Sequence, residues 1–93
     1  MLHAFVLIQA EPDAIARLAA ELADVPGITE VFSVAGGVAD VVAIVRVRHH
    51  DELVEVVTGR ISATTGIRST TTLVAFRAYS RHDLEALWDL GPA

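Results

Sequence analysis

Apolar and polar positions alternate in this chain with two different periods. Residues 2–9 (LHAFVLIQ) form a short apolar run bounded by Glu11-Pro12, which predicts a strand. After it, Ile15, Leu18, Leu22 and Val25 recur at helical spacing, with Pro12 and Asp13 suited to the helix start. Pro26-Gly27 ends that helix. Residues 28–34 (ITEVFSV) predict a second strand. Ala35-Gly36-Gly37-Val38 predicts a tight turn, and residues 40–48 a third strand in hairpin with the second. His49-His50-Asp51 opens a second helix with Leu53, Val54, Val57 and Ile61 on one side. Gly59 within it costs roughly 1 kcal/mol relative to alanine, and Thr64-Thr65-Gly66 ends it. Residues 70–79 (TTTLVAFRAY) predict a fourth strand. Ser80 to Asp83 has the form of a capping box, opening a short last helix with Leu84, Leu87 and Trp88.

The order strand, helix, strand, strand, helix, strand is the ferredoxin-like βαββαβ pattern of an α+β sandwich. Two helices cover one face of a four-stranded sheet. Either choice leaves apolar side chains on the other face: Phe5, Leu7, Val42 and Ile44, or Val6, Ile8, Val41 and Val45. An apolar patch of that kind marks an interaction surface. Its simplest cover is a second copy related by a twofold axis, giving a dimeric αβ barrel.

Composition sharpens this expectation. The chain has 93 residues, 53% hydrophobic and 20% charged, with a mean hydropathy of +0.49. A domain of this size buries only ~60–65% of its unfolded surface, so some apolar surface is left for a partner. Lys+Arg total 7 against 12 acidic residues, a net charge of −5, which argues against direct nucleic-acid binding. With no cysteine, thiolate metal sites, disulfides and thiol nucleophiles are excluded. The longest apolar runs, 4–8 and 41–45, are five residues, against roughly 20 for a membrane-spanning helix. No signal peptide is visible. The expectation is one domain over 1–93, cytoplasmic, without membrane, metal or cofactor.

Candidate chemistry gathers at one end of the predicted sheet, where the first strand finishes and the third and fourth begin. That end brings together the glycine turn, Asp40, Gln9 and Thr70. The starts of the two flanking strands lie ~10 Å apart, a span that suits a small amino acid. Asp40 can accept from an ammonium group, and turn N–H groups and threonine hydroxyls can bind a carboxylate. The alternative is structural, with Asp40 capping the hairpin and the threonines favouring strand. Arg46, Arg48, Arg68 and Arg77 read as surface charge, and Tyr79 and Trp88 as packing residues.

The same residues carry a resemblance. AFVLI in the first strand, VPGITEVFSVAG around the second, the G-x-x-D of Gly37 to Asp40 and the GI-x-x-T-x-T of Gly66 to Thr72 together resemble the effector-binding (RAM) domain of the Lrp/AsnC feast/famine regulators, over Ala4 to about Leu87. Full-length members of that family carry a DNA-binding helix-turn-helix, so the chain is similar to the stand-alone form. The resemblance implies a non-enzymatic regulatory module: a dimer assembled further, up to an octameric ring, with amino-acid effectors between dimers and a DNA-binding Lrp/AsnC regulator as partner. It assigns the ligand site to Gly37, Ala39, Asp40, Ile67, Thr70 and Thr72. The residue before the aspartate is commonly tyrosine or another bulky group in relatives. Here it is Ala39, which bears on the pocket's width and specificity. Two other readings of the fold stand beside this one. A cofactor-independent monooxygenase or isomerase of the dimeric barrel type would use His3 and Arg46. An ACT-like regulatory domain would join sheets side by side.

Overall fold

The computed structural model describes residues 1–81. Strand β1 (Leu2–Ala10) leads through a 3-10 turn (Pro12–Ala14) into helix α1 (Ile15–Ala23), then β2 (Ile28–Ser33) and β3 (Val41–Val47). Helix α2 (His50–Val54) continues as a π-helical segment (Glu55–Ile61) before β4 (Ile67–Val74). The sheet order is β2-β3-β1-β4, with every neighbouring pair antiparallel. This is the ferredoxin-like α+β fold, as the pattern predicts. The last helix expected from Leu84, Leu87 and Trp88, with its capping box, lies outside the described residues.

The β1 alternation decides which face is the core. Ala4, Val6 and Ile8 are fully buried, as are Val41, Ala43 and Val45 opposite them on β3. Leu18 and Leu22 of α1, at helical spacing, and Leu53, Val56 and Ile61 after β3 close over them. The other face holds Phe5, Leu7, Val42 and Ile44. Within a single chain these are only half-covered, and Phe32 and Leu73 beside them are about half exposed.

Three element details differ from the sequence expectation. Val54, read as core-facing, is exposed, and Val56 takes its place. Val56 and Ile61 are five residues apart, about 140° around an ordinary α-helix. The wider π turn brings both to the core, and the Ser62 N–H accordingly donates to the Val57 carbonyl five residues back, at 3.3 Å. Strand β4 starts three residues earlier than expected, because Ile67 pairs with Ala10. It ends at Val74, since the Ala75 N–H donates to His3, close to the start of β1, and little strand remains to pair beyond it. Tyr79, read as a packing residue, is 69% exposed within this chain.

Gly66 fixes the entry to β4. Its φ is +96°, and a Cβ there would meet the Ala14 Cβ at 2.8 Å. Its carbonyl accepts from the Glu11 N–H at 2.9 Å. Only glycine provides both that backbone conformation and that approach.

Candidate functional site

At the C-terminal end of β1 the expected cluster forms. The Asp40 N–H donates to the Ile8 carbonyl at 2.8 Å, and the Asp40 carbonyl accepts from the Val34 N–H at 2.9 Å. One rung further, the Ala10 N–H donates to Asp40 Oδ2 at 2.9 Å. A side-chain oxygen thus stands where a backbone carbonyl would continue the β1–β3 ladder. The structural role weighed for Asp40 is therefore present. Only one of its carboxylate oxygens is used, and the side chain is half-buried.

The hairpin loop beside it is open. Gly36 and Gly37 have φ of +146° and +85°, and a Cβ on either would meet nothing within 4 Å. Among the described residues, the backbone N–H groups of Gly36 to Ala39 donate to no carbonyl. Val38 is exposed, whereas Ala39 is buried. Unspent N–H donors next to a half-used carboxylate can bind the two charges of a zwitterion.

On the other side of β1, Ile67 pairs with Ala10, Thr70 with Ile8 and Thr72 with Val6. Asp40 and Ile67 thus flank the same residue of β1. Ile8 itself lies between Val41 on β3 and Thr70 on β4, with the Asp40 N–H on its carbonyl. Thr72 stands two residues further along β4, away from the loop. Ile67 and Thr72 are half-buried and Thr70 is exposed. The hydroxyls of both threonines make no hydrogen bond among the described residues. Gly37 lies in the loop itself, joined to the cluster through Val38, whose carbonyl accepts from Gln9 Nε2 at 3.5 Å. Gln9 Oε1 in turn accepts from Ser69 Oγ at 3.0 Å, so one side chain bridges the loop to β4.

Sequence reasoning missed two charged residues here. Arg68, read as surface charge, is the extra residue of a β-bulge: Gln9 faces Ser69 and Ala10 faces Ile67, with Arg68 between. Bulges re-aim side chains. Arg68 Nε and Nη2 donate to Glu11 Oε1 and Oε2 at 3.0 and 2.9 Å, a bidentate pair. That hydrogen-bonded guanidinium holds the Glu11 carboxyl below the usual carboxylate range. Glu11, and to a lesser degree the nearby charge of Asp40, raises Arg68 in turn. The bulge itself has no sequence signature, but Gly66 shortly before it is the one local signal that the chain turns tightly there.

The residues of the enzyme alternative lie at the opposite end of β1. His3 and Arg46 face each other in register, His3 half-buried and Arg46 exposed. No group of three or more metal-ligating side chains occurs among the described residues, and none of their helices is long and apolar enough to cross a membrane.

Comparison with known proteins follows the same lines. The family model of the Lrp/AsnC ligand binding domain matches residues 3–84. The crystal structure of a Thermus thermophilus protein superposes with a TM-score of 0.81 at 43% identity, over 87% of this chain and 100% of that one. Two longer regulators are similar over about half their length. The feast or famine regulatory protein from M. tuberculosis complexed with L-methionine matches at 29% identity, TM-score 0.68, over 87% of this chain and 54% of that one. E. coli AsnC matches at 23% identity, TM-score 0.75, over 83% and 52%. No curated protein matches the chain.

Proposed function

This chain belongs to the Lrp/AsnC ligand-binding domain family, and from that premise we propose that it binds a small amino-acid effector at the β1 end of its sheet and converts binding into a change of assembly. The family's ligand-binding domain is a regulatory module of transcription regulators, and this favours regulation over the barrel-enzyme reading. The observation that carries the proposal is that Asp40, with one carboxylate oxygen unused, and the free N–H groups of the 36–39 loop lie together at the end of β1, with Ile67 and Thr70 paired across that same end of the strand.

Each residue has a distinct role. The free oxygen of Asp40 accepts from the effector ammonium, while the loop N–H groups and Thr70 donate to polar oxygens. Ile67 and Thr72 border the apolar part. Ala39 leaves space where a bulky residue would narrow the pocket. Gly37 supplies the open backbone that lets the loop donors face outward.

The open face of the sheet, with Phe5, Phe32 and Leu73 exposed, fits a second copy of the chain. The assembly proposed is a face-to-face homodimer, built further into dimer-based rings with effector sites at subunit contacts. In this reading the domain acts in the cytoplasm on a DNA-binding Lrp/AsnC regulator. For binding to regulate, the effector must favour one assembly over another.

A thermal-shift and sedimentation panel with the twenty amino acids and their 2-keto acids tests this. At least one amino acid is expected to raise the melting temperature and alter the sedimentation profile together. A flat response to every compound in both measurements would overturn the proposal.

A further inference from the structure

The Glu11–Arg68 pair stands beside the proposed effector site and has no part in it so far. We infer that this pair shares in reading the charges of the effector: a zwitterionic α-amino acid binds by inserting between the two side chains, its carboxylate on Arg68 and its three ammonium N–H donors divided between Glu11 and the free oxygen of Asp40. This inference rests on the amino-acid-binding reading of the same site.

Three observations support it. First, Arg68 is the bulged residue of the β1–β4 ladder, so its side chain is aimed by an irregularity rather than by the strand's own alternation. Second, its guanidinium holds a carboxylate through two parallel bonds of 3.0 and 2.9 Å. That fork matches a free α-carboxylate as well as it matches Glu11. Third, the pair adjoins the cluster. Glu11 follows Ala10, whose N–H is held by Asp40.

Exchange at this pair is cheap. The two side chains remain 57% and 49% exposed, and an exposed ion pair gives up little when it opens. The chemistry then selects the ligand class. A 2-keto acid satisfies Arg68 but strands Glu11 without a cation. An amine satisfies Glu11 but strands Arg68. An amino acid satisfies both, and the net charge of the site is unchanged. In the empty site Glu11 occupies the place of the missing carboxylate, so the free protein keeps Arg68 from unrelated anions.

The test is a crossed specificity measurement by calorimetry. The probes are the twenty L-amino acids and, for each that binds, its 2-keto acid and its decarboxylated amine. The wild-type chain is expected to prefer the amino acid about tenfold or more over either analogue, the size of one charge-assisted hydrogen bond. Glu11→Gln should cut the preference over the keto acid at least fivefold. Arg68→Met should cut the preference over the amine by a similar factor. Glu21→Gln, which removes the exposed Arg17–Glu21 pair on α1, should move neither ratio. If Arg68→Met does not fold, Arg68→Lys keeps the charge without the fork and should shift the same ratio less. Binding with both ratios unmoved overturns the inference and leaves the amino-acid reading intact. Binding of no amino acid to wild type or to either variant overturns both.

Discussion

Along β1 and β3, neighbouring residues of the same chemical type are treated in opposite ways. Val6, Ile8, Val41 and Val45 are sealed beneath the helices, while Phe5, Leu7, Val42 and Ile44, one step along the same strands, are only partly covered. The difference does not lie in local sequence, since both sets are apolar. It lies in supply. The described helices deliver Leu18, Leu22, Leu53, Val56 and Ile61 to one side and nothing to the other. Among the described residues, the sheet is apolar on both faces and has helices on one, which is the pattern the proposed face-to-face dimer would complete. The completed face sets whether the chain folds, and in the proposed assembly the open face sets what it joins.

The sharpest way to break the comparison is at its buried side. Ile8→Ala removes a fully buried side chain at the centre of β1 and should lower unfolding free energy by about 2–5 kcal/mol, read by chemical denaturation. The open side should answer differently. Phe5→Ser with Leu73→Ser, which face each other across β1 and β4, should cost the single chain under ~1 kcal/mol. Dimerisation should weaken on the order of 100-fold or more, since each apolar side chain buried at a contact contributes roughly 1.5–3 kcal/mol. Sedimentation equilibrium separates the two outcomes. If the double variant unfolds the chain without changing assembly, the assignment of the two faces is wrong.

The smallest effect belongs to the exposed rim between the faces. The Glu11 carboxyl is held below its ordinary range by Arg68, so the pair's contribution is complete above the unfolded-state value and is lost as pH falls through the lowered folded-state value. Arg68 stays charged throughout. A carbon-detected pH titration should show Glu11 titrating below the ordinary glutamate range, and Arg68→Met should return it toward that range.

Much of this architecture was legible in residue spacing. The alternation of β1, the stripe of α1 and the glycines at both turns set the element order, and the order set the topology that brings Asp40 to Ile67 and Thr70. Three things were not legible. Periodicity cannot say which face of a strand is buried when both faces are apolar, as at Val41 to Val45. The π turn that buries Val56 in place of Val54 depends on tertiary packing. The Arg68 bulge joins residues 57 positions apart in the chain, and a local reading of Gly66-Ile67-Arg68-Ser69 gives only a loop.

Asp40 completes a rung of the sheet with its side chain, and if it also receives the proposed effector, the aspartate is a seam as well as a receptor. A guest drawing on its second oxygen tugs the stitch that fastens the tips of two central strands. In the proposed function, occupancy would then be registered in the weave of the sheet itself, with no separate messenger to carry news of it toward a neighbouring subunit.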